Sequence, residues 1–235
     1  MSAWVVPWHP SPAGRPTLVC APPGGSGCNR FRGWQARLGL AVSVVGVQLP
    51  GRENRFAEEH PATFADAVAA VAADLAELRA GAPLVIVGES FGGLLAYELA
   101  RAVGPDALVL AATEPPGNRS AAEHLVIDEQ ILRDLFVSGP PELRDLDEDS
   151  QEFLLDVLRR DDKLADTHVL AEKFQVDCPI HAWSGDLDEV VPGHLLDGWA
   201  GYSTAGTTRR AFAGSHTFLT DLADETVPAL GSLLC

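Results

Sequence analysis

A mostly parallel β-sheet flanked by helices is the fold class this sequence predicts, on three observations. Short apolar runs alternate with stretches of helical periodicity. Most of the runs are apolar throughout rather than alternating, as strands covered on both faces should be. The 235 residues, 46% apolar and 21% charged, suit one sizeable core and are short for two ordinary domains.

The elements follow in order. The first run, Thr17 to Ala21, leads into the glycine-rich Pro22-Pro23-Gly24-Gly25-Ser26-Gly27, and a second strand is expected from Val42 to Leu49. The clearest helix spans Thr63 to Ala80, with Phe64, Ala67, Val68, Val71, Leu75 and Leu78 on one face of a 3.6-residue period. Thr63 and Asp66 have the spacing of a capping box, and Gly81 followed by Pro83 ends the helix. Leu84 to Gly88 predicts a strand, Leu94 to Val103 a helix, and Ala107 to Ala112 the next strand.

Between Thr113 and Gln175 the alternation stops. Two helical stripes appear there, one of Ile131, Leu132, Leu135 and Phe136, the other of Leu154, Leu155 and Leu158. The segment reads as a helical insertion, residues 114 to 175, lying as a lid over the carboxyl edge of the sheet, where open α/β sheets bind ligands. Strands Ile180 to Trp183 and Thr207 to Phe212 close the pattern, so residues 1–235 form a single domain with one lid.

Composition narrows the function classes. No apolar run approaches the roughly 20 residues that span a bilayer. The segment Met1 to Pro10 has no basic stretch and is broken by Pro7 and Pro10, so a cytoplasmic chain with no membrane partner is expected. Cys20, Cys28, Cys178 and Cys235 form no CxxC pair, which predicts reduced thiols and no metal site. The net charge of −16 repels nucleic acid. That charge is uneven: residues 1–57 hold Arg15, Arg30, Arg32, Arg37, Arg52 and Arg55 against Glu53 alone, a net of +5, and the remainder carries −21.

The chemistry begins at Gly88-Glu89-Ser90-Phe91-Gly92-Gly93, a G-x-S-x-G between a strand and a helix. This is a nucleophile elbow, whose glycines allow the tight turn that lifts the serine hydroxyl above the sheet. In the α/β-hydrolase fold that it implies, an acid and then a histidine follow the serine along the chain. Gly185-Asp186-Leu187-Asp188-Glu189-Val190-Val191-Pro192 supplies the acid after a strand, with Asp188 preferred to Asp186. His216, just past the last strand, is the base, with His194 the alternative. The oxyanion needs two donors. One is the N–H of Phe91; the other comes from the glycine-rich loop, Gly24 first and Gly25 next. That loop lacks the lysine and G-K-[ST] of a phosphate-binding loop.

These residues, together with Leu18 to Gly25, Phe31, Trp34, Gln48-Leu49-Pro50-Gly51-Arg52-Glu53-Asn54-Arg55, Leu158-Arg159-Arg160-Asp161 and Gly214 to Phe218, resemble the stand-alone type II thioesterases of polyketide and nonribosomal peptide assembly lines. The likeness extends over nearly the whole chain. It implies an enzyme that removes stalled or aberrant acyl groups from the phosphopantetheine arm of acyl or peptidyl carrier proteins. No cofactor of its own is implied, and a monomer is expected. In that family the elbow more often reads G-H-S-M-G or G-H-S-L-G, so Glu89 and Phe91 are departures, and Phe91 is expected to narrow the acyl pocket. The fused release thioesterases carry their acid just after the strand that precedes the lid. Here that position is Ala112, with Glu114 two residues too late, so the triad turns to Asp188. Carrier proteins are usually acidic, which makes the arginine-rich first 57 residues a docking surface; the other reading places Arg52 and Arg55 in internal salt bridges. A general acyl-CoA thioesterase or esterase, an acyltransferase, and a non-catalytic protein of the same fold stay open as alternatives.

Overall fold

The computed structural model describes residues 4–9, 14–78, 81–116, 130, 132–134, 136–137, 141–168 and 174–234. Seven strands form one sheet: β1 (Val5–Pro7), β2 (Thr17–Ala21), β3 (Ser43–Val47), β4 (Leu84–Glu89), β5 (Ala107–Ala111), β6 (Ile180–Gly185) and β7 (Thr207–Phe212). Their order is β1-β3-β2-β4-β5-β6-β7, and every pairing except β1 with β3 is parallel. β2 through β6 are almost wholly buried, which is why their sequences are largely apolar.

The chain leaves β2 in one direction to β3 and then crosses back to β4 on the other side. The crevice at the carboxyl ends of β2 and β4 is therefore the topological switch point. In the register between them Ala21 lies beside Gly88, so the glycine-rich loop starts next to the serine elbow.

One strand departs from the sequence reading, and another is apolar only at its end. β1 escaped it because three residues ending in Pro7 carry no usable period; it joins the edge antiparallel, Val5 opposite Val47. β7 reads Thr-Thr-Arg-Arg-Ala-Phe and is mostly exposed. Arginines on an exposed edge discourage pairing with another chain.

The helix Phe64–Leu78 starts where the capping box predicts. Thr63 Oγ1 accepts the Asp66 N–H at 3.1 Å, and Asp66 Oδ2 accepts the Thr63 N–H at 3.1 Å. Phe64, Ala67, Val71 and Leu75 are buried in the core shared with the elbow helix Phe91–Val103. Arg79 and Ala80 lie outside the described residues, as does the Leu78 side chain.

In the lid the described helices are Pro141–Arg144 and Glu148–Asp166. Asp147 caps the longer one by accepting the Ser150 N–H at 2.8 Å. Leu155 and Leu158 are buried and Leu154 is half-buried, as their stripe requires. Phe136 is buried, while Ile131 and Leu135 lie outside the described residues. Among the described residues no helix is long and apolar enough to cross a membrane, and no group of three or more His, Cys, Asp or Glu could hold a metal ion.

Candidate active site

Ser90 is the hinge between β4 and the elbow helix, at φ 54° and ψ −120°. An L-residue with positive φ is strained. The bend survives because its surroundings leave no alternative. The Ser90 N–H donates to Ala111 O at 2.9 Å, and Ser90 O accepts from the Gly93 N–H at 2.8 Å and from Thr113 Oγ1 at 3.2 Å. A Cβ on Gly88 would lie 2.1 Å from Gly92 O, and one on Gly92 would lie 2.3 Å from Ala21 O. The two outer glycines of G-x-S-x-G are thus forced by backbone packing against backbone.

His216 and Asp188 meet above the ends of β6 and β7. His216 Nδ1 lies 3.0 Å from Asp188 Oδ2 and 3.1 Å from Oδ1. Asp188 Oδ1 also accepts the N–H groups of Val190 and Val191, both at 2.9 Å, which orient the carboxylate. Both residues are buried, and His216 joins Ser90 in the wall of a single cavity. The alternatives lie elsewhere. Asp186 accepts the Gly214 N–H at 3.0 Å and so braces the histidine loop from outside. His194 is exposed in the 3-10 stretch Gly193–Gly201. His60, His168 and His181 contact Asp161, Glu98 and Thr208, whereas His124 lies outside the described residues.

The oxyanion candidates separate as well. Phe91 is the first residue of its helix, so its N–H has no intrahelical acceptor. Gly24 and Gly25 both line the cavity. The Gly25 N–H is occupied by Asp161 Oδ2 at 2.8 Å, which leaves Gly24 as the loop's candidate donor.

The cavity holds about 590 Å³. Its lid side is apolar, with Leu132, Leu143, Phe153, Leu154, Val157 and Leu158, and its floor carries Ser90 and His216. The Phe91 ring was expected to narrow it. Instead that ring is buried in the core, edge-on to Phe64 at 5.9 Å, because the helix start turns its side chain away from the crevice.

Glu89 is the feature that sequence reasoning could not place. It is fully buried, 3.2 Å from Arg30 Nη2, and Arg30 also donates to Ser26 Oγ at 3.0 Å and Thr220 Oγ1 at 2.6 Å. Burial pushes the Glu89 carboxyl up, Asp221 adds to that, and the charges of Arg30 and His216 pull against it. A signal did exist: an acid inside an otherwise apolar, fully buried strand needs a cation.

The arginines of the first 57 residues do not form one basic face. Arg52 and Arg55 are buried, on Asp161 and Glu58, and Arg55 also lies 4.5 Å over the Trp4 ring. Arg30 pairs with Glu89 and Arg37 with Asp224. Only Arg15 and Arg32 make no ion pair among the described residues. Of the cysteines, Cys20, Cys28 and Cys178 are buried free thiols, and Cys235 lies outside the described residues. Burial pushes the Cys178 thiol up to about 11, and burial with Glu53 pushes Cys28 up to about 12, so neither supplies a thiolate at neutral pH.

Residues 16–233 match the thioesterase domain family. The gramicidin S biosynthesis protein GrsT of Aneurinibacillus migulanus is 29% identical over 228 residues, covering 93% of this chain and 89% of that one. The thioesterase RedJ from the prodiginine biosynthetic pathway of Streptomyces coelicolor superposes with a TM-score of 0.79 at 32% identity, over 96% of this chain and 91% of RedJ. The type II thioesterase BorB from the borrelidin biosynthetic cluster superposes with a TM-score of 0.84 at 28% identity, over 99% and 98% of the two chains.

Proposed function

This chain belongs to the thioesterase domain family, and we propose that it is a type II editing enzyme of polyketide or nonribosomal peptide synthesis. It hydrolyses stalled or aberrant acyl chains from the phosphopantetheine arm of carrier proteins. The observation that carries the reading is the pairing of the buried Asp188 with Nδ1 of His216, which shares a cavity wall with the strained Ser90. Relatives similar to nearly the whole of this chain come from such pathways, which supports the carrier-bound substrate.

These positions support the following reaction. His216 Nε2 takes the Ser90 proton, and Ser90 Oγ attacks the thioester carbonyl. Asp188 holds the imidazole with Nδ1 protonated and stabilises the imidazolium that forms. The N–H groups of Phe91 and Gly24 receive the oxyanion. The tetrahedral intermediate collapses as His216 returns the proton to the departing pantetheine sulfur. A water molecule, deprotonated by His216, then attacks the acyl-serine and regenerates Ser90. The apolar lid wall receives the acyl chain and keeps bulk water from it.

The test is mass spectrometry of carrier protein loaded with acetyl or propionyl, incubated with the wild type and with Ser90→Ala. Loss of the acyl mass with the wild type alone is expected. An acyl mass that moves to Ser90 and stays there would replace hydrolysis with transfer to another acceptor. A carrier that stays loaded, with acetyl- and octanoyl-CoA consumed instead, would replace the carrier with coenzyme A as the substrate's handle.

A further inference from the structure

The loop Pro22–Asn29 has little regular structure, yet four of its backbone groups are held by side chains from distant segments. Asp161 Oδ2 accepts the Gly25 N–H at 2.8 Å, and Arg52 Nη1 donates to Ser26 O at 3.0 Å. Gln48 Oε1 accepts the Cys28 N–H at 3.2 Å, and Glu53 Oε1 accepts the Asn29 N–H at 3.1 Å. The cluster is tied to itself. Arg52 grips both carboxylate oxygens of Asp161, with Nη1 at 2.6 Å from Oδ2, and Gln48 Nε2 donates to Arg52 O at 3.2 Å. Gln48, Arg52 and Asp161 are all buried.

Three of these side chains come from the Gln48–Arg55 segment, and the fourth, Asp161, comes from the lid helix. Asp161 is one turn beyond Leu158, which both lines the cavity and approaches the loop: a Cβ on Gly24 or Gly25 would lie 3.1 Å from Leu158 side-chain atoms. One helix face therefore touches the acyl cavity and the loop together. Gly25, at φ +75°, sits in a turn that the Ser26 N–H closes on Pro23 O at 3.1 Å, and the N–H of the turn's central peptide, that of Gly25, is held from outside the loop by Asp161.

We propose that Asp161 is the positioning residue of the oxyanion hole, joining the lid helix to the loop that presents the Gly24 N–H. The inference rests on the reading of Gly24 as an oxyanion donor. Fixing the Gly25 N–H fixes the plane of the Gly24–Gly25 peptide, one peptide removed from the donor. A donor displaced by about 1 Å costs on the order of 10²-fold in rate. Asp161 touches no reacting atom, so its contribution is to geometry and is expressed in the chemical step.

The experiment compares wild type, Asp161→Asn and Arg52→Lys with one acyl-carrier substrate, an acyl boronic acid and a non-hydrolysable thioether analogue. Asparagine cannot accept both Arg52 bonds, because its amide group presents a donor to a donor. The expected result for folded Asp161→Asn is a kcat lower by roughly 10-fold to 100-fold, with KM within about twofold of wild type. Boronate affinity falls by a similar factor, because the boronate places an oxygen in the hole, and thioether affinity does not change. A folded variant with unchanged kcat and boronate affinity, or with only KM raised, overturns the proposal. If Asp161→Asn does not fold, Arg52→Lys carries the test: it keeps the charge but loses the fork. The same pattern at smaller amplitude supports the proposal, and an unchanged kcat overturns it. Failure of the thioester-hydrolase reading looks different, since the wild type itself would then neither hydrolyse the thioester nor bind the boronate.

Discussion

At the scale of single residues, Ser90 shows a site held away from its own stability optimum. A non-glycine residue at φ 54° and ψ −120° costs on the order of 1–3 kcal/mol, and four neighbouring backbone and side-chain groups hold it there. Glycine adopts such angles freely, at a cost of up to about 1 kcal/mol in unfolded-chain entropy. Ser90→Gly should therefore be inactive yet melt above Ser90→Ala, by the equivalent of about 1 kcal/mol. Equal melting temperatures for the two variants would mean that the bend stores no strain. The candidate serine, histidine and acid were all legible in the sequence, because each follows a predicted strand and the chain order is that of the fold. Glu89 was visible only as a departure from the usual elbow, since nothing near it in sequence foretells Arg30 as its partner.

At the scale of elements, the lid helix Glu148–Asp166 carries most of the consequence. Its amphipathic pattern was readable, and so in principle was Asp161, an acid three and four residues from the buried Leu158 and Val157 and hence on the apolar face. What it bonds to was not readable, because Arg52 and Gly25 are more than a hundred residues away. Burial by itself would raise the Asp161 carboxyl, but Arg52, with bonds from His60 and the Gly25 N–H, holds it below its ordinary 3.8. A carboxyl with a depressed folded value contributes stability that is present above its unfolded value and lost as pH falls through the folded one. The melting-temperature gap between wild type and Asp161→Asn should thus be widest at neutral pH and shrink below about pH 4. Thermal melts at several pH values measure it, and a gap that widens in acid would reverse the assigned sign.

At the scale of the whole molecule, a chain of net charge −16 repels itself. Most of the arginines at its amino-terminal end are already engaged in ion pairs or buried. Raising ionic strength from about 10 mM to about 150 mM shortens the screening length from roughly 30 Å to 8 Å. The melting temperature should rise over that interval. A fall would show that exposed pairs such as Arg37 with Asp224 outweigh the general repulsion. By itself the sequence determined the fold class, the candidate serine, histidine and acid, and the family likeness, because these depend on local periodicity, turn chemistry and order along the chain. Only the tertiary structure decided that the Gly25 N–H is engaged by Asp161, that Arg52 and Arg55 are internal, and that Phe91 packs into the core. Those outcomes depend on which distant side chains the sheet brings together at one switch point, and contacts of that separation leave no period in the sequence.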